Sequence, residues 1–230
     1  MKDLIRYSLI KDKFPREFLL LKGSGCRWKK CIFCDYYLDV GNDYLKVNKE
    51  ALDKVTGEFG ILDIINSGSM IELHDETISM IKEVVEKKDI KTLWFESHWM
   101  YRDKLDSFSM KFPNVEVKYR TGVETFDKNF RTYLRKGIPE DVEPEEIAKY
   151  FKGICLLVGL KGQTKDMILK DIDIAIKNFE YFSINVFNDN TTDVKKDIDI
   201  INWINKELYE DLKSCPKAEL LLNNTDLGVG

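Results

Sequence analysis

"KGICLLVGLKGQTKDMILKDIDIAIKNFEYFSINVFND", residues 152–189, holds an apolar run, a stretch with apolar residues three and four apart, and a second apolar run. The runs at 152–159 and 181–189 are short, nearly continuous and stopped by Gly or polar residues, as strands buried on both faces are. The stretch at 164–179 has the period of an amphipathic helix. Strand, helix and strand in this order predict a parallel crossover unit.

The alternation continues in both directions. "EFLLLKG" (17–23), "GILDIINSG" (60–68), "IKTLWFES" (90–97) and "VEVKYRTG" (115–122) read as strands, and "AELLLNN" (218–224) as a last one. Helical spacing occupies 48–59, 74–87, 126–137 and 194–212, with Gly137 placed to cap the third of these. About six such units predict an α/β fold, a partial (β/α)6 TIM-like barrel with a parallel sheet, shorter than the roughly 250 residues typical of a closed eight-unit barrel. No linker, repeat or low-complexity tract interrupts the 230 residues, so a single domain over 1–230 is expected.

A net charge of −4 gives no general attraction to polyphosphate, and no stable nucleic-acid binding is expected. The first residues lack a signal-peptide core, and no apolar run approaches eighteen residues, which predicts a cytoplasmic protein with no membrane association. Five cysteines in a reducing compartment point to metal or redox chemistry rather than disulfides.

Three of the five fall in "GCRWKKCIFCDYY" (25–37), where Cys26, Cys31 and Cys34 have the spacing C-x4-C-x2-C. A C-x2-C pair converges readily on one metal centre. Zinc requires a fourth ligand, yet His74 and His98, the two histidines, form no paired-ligand motif. A two-iron cluster requires a distant fourth cysteine, and Cys155 lies in an apolar strand while Cys215 lies in a late polar loop. A 4Fe–4S cluster on three thiolates leaves one iron open to a small molecule. The other cue is at the ends of the predicted strands, where parallel α/β proteins bind ligands: "SGC", "NSGS", "ESHW", "RTGVET", "VGLKGQT" and "FNDNTT" recur there.

The cysteine loop resembles the cluster loop of radical S-adenosylmethionine (SAM) enzymes, with one residue more than the usual C-x3-C-x2-C. The resemblance spans roughly residues 17 to 190 and implies a 4Fe–4S cluster on Cys26, Cys31 and Cys34, with SAM as cofactor. It implies that Phe33 packs on the adenine, and that "NSGS", with Ser67, Gly68 and Ser69, meets the methionyl amino group. "ESHW" and "RTGVETF" look like the strand ends of the family's elongator-protein-like branch, which assigns Glu96, Ser97, Arg120 and Glu124 to the ribose and methionine parts. "GICLLVGLKGQT" resembles the adenine-contacting strand, through Gly159 and Leu160. Trp99 and Tyr119 are candidate walls of the mouth, and Asp189, Asp193, Asn223, Asn224 and Asp226 are candidate readers of a donor-rich base edge. In its motifs the chain is most similar to the queuine lyase group, which implies a deazapurine substrate, a lyase reaction and an electron donor such as flavodoxin or ferredoxin.

Plainer readings stand beside these. Gly68, Gly122 and Gly159 suit simple turns at strand ends. Arg27, Lys29 and Lys30 either ease reduction of an anionic cluster or face solvent, and Trp28, Tyr36 and Tyr37 either cover the cluster or anchor the loop. A glycyl-radical-enzyme activase and a non-enzymatic iron–sulfur or zinc module are the alternative functions.

Overall fold

The structure, a computed structural model, describes residues 4–230. Its strands are β1 (Tyr7–Ile10), β2 (Arg16–Leu21), β3 (Ile61–Asn66), β4 (Thr92–Glu96), β5 (Glu116–Glu124), β6 (Gly153–Val158), β7 (Tyr181–Val186) and β8 (Ala218–Leu221). The helices are α1 (Tyr44–Leu52), α2 (Asp75–Lys87), α3 (Leu105–Ser109), α4 (Lys128–Tyr133), α5 (Pro144–Tyr150), α6 (Lys165–Asn178), α7 (Ile198–Trp203) and α8 (Tyr209–Ser214). The strands follow one another in chain order in the sheet. β1 runs antiparallel to β2, whereas β2–β3, β3–β4, β5–β6, β6–β7 and β7–β8 are parallel. Among the described residues, no helix is long and apolar enough to cross a membrane.

Two compact units divide the chain. The first comprises the residues up to Lys29, Tyr36–Tyr119 and Thr225–Gly230. Leu19, Leu21, Leu62, Ile64 and Leu93 are buried along its strands, and Ile78, Ile81 and Val85 are buried on one face of α2. Phe95 meets Phe108 edge-on at 5.3 Å, which binds α3 to β4. Where the chain leaves β2, Asn48 of α1 accepts from the Lys22 N–H at 2.7 Å and donates to its carbonyl at 2.8 Å. This side-chain amide replaces the sheet partner that Lys22 no longer has, and so fixes the entry to the cysteine loop.

The second unit comprises Lys30–Asp35 and Arg120–Asn224. All six residues of β6 are buried, as expected for a parallel strand covered on both faces. Ile168, Ile172 and Ala175 of α6 lie on its buried face, and Thr164 caps that helix by accepting the Met167 N–H.

Several boundaries differ from the sequence expectation. The helix expected at 48–59 occupies Tyr44–Leu52, and Gly57, with φ +83°, lies in the loop beyond it. The helix expected at 194–212 begins only at Ile198, where Asp197 accepts from the Asp199 and Ile200 N–H groups, and it is interrupted by a π turn at Ile204–Leu208. Gly137 does not cap α4. Arg135 takes the left-handed position there, with φ +56°, and its N–H bonds the Thr132 carbonyl while the Lys136 N–H bonds that of Arg131. This pair of bonds is a Schellman motif built without glycine.

Candidate cofactor and substrate site

In the first unit, residues 22 to 29 are irregular backbone that carries Cys26. Glu72 organises it. Its buried carboxylate accepts from the Arg27 N–H at 2.8 Å, the Ser69 N–H at 2.6 Å and the Tyr101 hydroxyl at 2.8 Å. Its carbonyl accepts from both the N–H and the hydroxyl of Ser24. Burial, reinforced by the hydrogen bond to Glu72, pushes the Tyr101 hydroxyl up, which keeps it a donor. One carboxylate thus ties the cysteine loop to the segment after β3 and to the turn after β4. The sequence did carry a signal for it, because Ser69-x-x-Glu72 is a capping-box spacing.

Gly68 sits where no side chain fits. A Cβ there would collide with Glu72 Oε2 and lie 2.9 Å from the Gly25 carbonyl oxygen and 3.0 Å from Cys26 Cα. Ser67 accepts from the Gly23 N–H at 3.3 Å, and Ser69 Oγ from the His98 N–H at 2.9 Å. The expected residues Ser67, Gly68 and Ser69 are therefore brought against Cys26 and the end of β4. Glu96 closes β4 half-buried, followed by buried Ser97 and by Trp99, over which the Arg102 guanidinium lies at 4.7 Å. Tyr119 is not at a strand end. Its hydroxyl donates to the Leu105 carbonyl at 3.0 Å and lies 2.6 Å from Ser109 Oγ, so the ring packs beneath α3 and does not wall a mouth. Asp226 is exposed in the turn before the C-terminus.

In the second unit, Phe33 packs against Leu134, Leu157, Leu160 and Phe187, which joins two of the expected adenine-side residues, Phe33 and Leu160, in one apolar cluster. The Phe33 carbonyl accepts from Asn190 Nδ2 at 2.7 Å, and Asp35 accepts from the Thr191 N–H and hydroxyl. The C-x2-C half of the loop is thereby fixed to the segment after β7. On its other side, the Ile32 N–H bonds the Leu134 carbonyl, and the Cys31 thiol lies 3.8 Å from the Arg135 carbonyl. At the end of β6, Gly159 takes φ +83°, and Leu160 donates its N–H to Gln163 Oε1 at 3.0 Å.

Glu124 ends β5 with φ +68°, just past a register shift in the β5–β6 pairing. Its Oε1 lies 2.8 Å from Lys136 Nζ, and that ammonium also stands 6.0 Å over the Phe33 ring. A Cβ on Gly122 would strike both partners of the Glu124–Lys136 pair, so any side chain there would displace that pair. Arg120 is buried within β5, in register with Gly153. The structure does not gather the expected base readers: Asp189 is exposed and paired with Lys196 at 3.0 Å, Asp193 is exposed, and Asn223 and Asn224 are exposed after β8. Lys136 and Asn190 are the polar residues here that sequence reasoning missed.

Behind this strand end, Asp171 of α6 accepts from the Phe126 N–H at 2.7 Å. Burial is the largest influence on its carboxyl and pushes it up to about 6, against the hydrogen bonds from Phe126 and Thr125. A carboxyl whose folded pKa lies above its unfolded value costs stability as it ionises. The cost is absent below about pH 4 and complete above about pH 6, on the order of 3 kcal/mol. Folding stability should fall across that window, and Asp171→Asn, which keeps the acceptor oxygen, should flatten the fall. Urea unfolding at several pH values reads this directly.

Do the cysteines suit a cluster? All five described thiols are unbridged, and Cys26, Cys31 and Cys34 are half-buried in irregular backbone within nine residues of one another. Among the described residues, no three His, Cys, Asp or Glu side chains already form a metal-binding group. Three soft thiol donors without a fourth fit an iron–sulfur cluster with an open iron better than a closed zinc site.

No family profile and no curated protein matches the chain. Among solved structures, a queuine lyase from Clostridium spiroforme bound to SAM and queuine superposes with a TM-score of 0.94 and 43% identity, covering 99% of this chain and 100% of that one. The chain belongs to the queuine lyase family. It is a radical SAM enzyme with the α/β partial-barrel fold expected from its strand alternation. A methylornithine synthase shares the fold at a TM-score of 0.51 and 12% identity, covering 88% of this chain and 63% of that one. In this family member, the motifs after β3 and β4 and the cysteine loop are the segments that Glu72 and Asn190 hold in place.

Proposed function

We propose that this chain cleaves queuine, releasing 7-aminomethyl-7-deazaguanine, with a 4Fe–4S cluster on Cys26, Cys31 and Cys34 and with SAM. The observation that carries the proposal is the 43% identity and 0.94 TM-score, over nearly the whole chain, to a queuine lyase bound to SAM and queuine. When bound, the reduced cluster would supply one electron to cleave SAM, and SAM would supply the adenosyl group that takes a hydrogen atom from the substrate.

The chain's own residues bind, orient and exclude water. Ser67, Gly68 and Ser69 receive the methionyl amino group on a segment that Glu72 and His98 hold rigid. Glu124, kept in place by Lys136, takes the ribose hydroxyls, with Glu96, Ser97 and Arg120 completing the polar side. Phe33, Gly159 and Leu160 form the apolar seat of the adenine. Trp99 faces the substrate, and a carboxylate or amide among Asp189, Asp193, Asn223, Asn224 and Asp226 reads the donor edge of the deazaguanine. The whole chain works as one domain in the cytosol, on a small molecule and not on a nucleic acid, and is reduced by a flavodoxin or ferredoxin.

The test is anaerobic incubation of the reconstituted, dithionite-reduced protein with SAM and queuine. 7-Aminomethyl-7-deazaguanine is expected, with 5′-deoxyadenosine forming in step with it. Deoxyadenosine at the same yield without queuine would remove this substrate while leaving the cofactor chemistry.

A further inference from the structure

In the second unit, β7 departs from the pattern of its neighbour. A parallel strand covered on both faces is expected to be apolar nearly throughout, as β6 is. In β7, however, Phe182, Ile184 and Val186 alternate with Tyr181, Ser183 and Asn185. Period two in such a strand means that one of its faces does not serve core packing. Phe182 and Ile184 lie on the sealed face, fully buried beside Ile154 and Leu156 of β6. The other face has room. Ser183 is in register there with Cys155, and Asn185 with Leu157, and Cys155 is 9% exposed, Leu157 8% and Tyr181 8%.

β8 adds Glu219 to this face, in register with Ser183. The Tyr181 hydroxyl donates to Glu219 Oε2 at 2.6 Å and so orients the carboxylate. Ser183 is only 3% exposed and Asn185 is half-buried, yet among the described residues neither the Ser183 hydroxyl nor the Asn185 amide has a hydrogen-bond partner. Polar groups held in a strand without partners cost stability that an aliphatic residue would not. A ligand that bonds them accounts for their presence.

The same face borders the proposed cofactor seat. Leu157, beside Asn185, packs in the cluster with Phe33 and Leu160. Gly122, in register with Cys155, has the Glu124–Lys136 pair over it. 7-Aminomethyl-7-deazaguanine keeps the base of queuine and loses its ring, so the bond that breaks is at the ring, and the ring belongs beside the adenosyl group. The donor set agrees. A hydroxyl both donates and accepts, and so do the serine hydroxyl and the asparagine amide, with the carboxylate as a further acceptor; a base edge that only donates calls for carboxylates alone.

Resting on the reading that this chain cleaves queuine, we infer that Ser183, Asn185 and Glu219 bind the two hydroxyls of its cyclopentenediol. Glu219 accepts from one hydroxyl, and the Asn185 amide and the Ser183 hydroxyl bond the other. Because all three stand on strands, they fix the ring and so select which of its hydrogens faces the adenosyl group.

The test is equilibrium binding of queuine, and of 7-aminomethyl-7-deazaguanine as the ligand without the diol, to the reconstituted holoprotein with SAM and an oxidised cluster. The parent is compared with Asn185→Ala and Glu219→Gln; the second keeps the size of the side chain and an acceptor for Tyr181, so the fold is retained. Each substitution should weaken queuine binding by roughly tenfold, about 1.4 kcal/mol, and leave the affinity for the diol-free base at the parent level. Equal weakening of both ligands, or parent-like queuine binding in both variants, overturns the diol site. A parent that binds SAM but not queuine overturns instead the reading on which it rests.

Discussion

Cys31→Ala is expected to abolish the cluster and with it deoxyadenosine formation. A thiolate ligand has no substitute in alanine, and the loss of mere outer-shell partners already costs 10–100-fold at metal sites, so the drop should exceed about a hundredfold. The fold should hardly notice. The Cys31 thiol makes a long 3.8 Å contact with the Arg135 carbonyl, a bond that a ligating thiolate would no longer donate. Apoprotein stability should change by less than about 0.5 kcal/mol, as at an ordinary surface position. Cys215→Ala is the control, since Cys215 only terminates α8 and should keep iron, visible absorbance and activity. Iron and sulfide content with visible absorbance measures the first effect. A Cys31→Ala protein with the parent's iron content would contradict the ligand assignment.

Glu72→Ala should be the most damaging substitution of a residue outside the cysteines. It strands the N–H groups of Arg27 and Ser69 and the Tyr101 hydroxyl, all now bonded to one carboxylate. Each buried donor left without an acceptor costs about 1–3 kcal/mol, and partial relaxation leaves a total of about 3–5 kcal/mol. Glu72→Gln keeps an acceptor oxygen but puts an amide opposite donors, and should cost roughly half of that. Because the carboxylate also fixes Ser69, next to the Gly68 that approaches the Cys26 backbone, both variants should weaken SAM binding to the folded protein, by at least about tenfold for alanine. Denaturant unfolding and equilibrium SAM binding separate the two effects. Parent-like values in both would show that Glu72 does not organise the loop.

The parallel core was legible because each buried strand is a short apolar run, and the cysteine loop because its chemistry is local in the chain. β1 escaped notice: its four residues are flanked by charge and pair only with β2, so they lack the continuous apolar run of a covered strand. Tyr119 lies in mid-strand, and its removal from the mouth follows from its hydroxyl being held by the Leu105 carbonyl and Ser109, contacts that only the fold creates. Gly137 was taken for a cap because glycine is the usual left-handed residue, yet the Schellman bonds form around Arg135. Glu72 could have been found from its spacing to Ser69. Asn190 could not, since its partner Phe33 is 157 positions away and only the fold makes them neighbours.

We propose that the hydrogen atom taken from queuine comes from its cyclopentenediol ring, the part not retained in 7-aminomethyl-7-deazaguanine. Queuine deuterated on that ring, incubated anaerobically with the reduced holoprotein and SAM, tests it most directly. Deuterium is expected in 5′-deoxyadenosine, together with unlabelled 7-aminomethyl-7-deazaguanine. Deoxyadenosine that forms alongside unchanged queuine and carries no deuterium would contradict it.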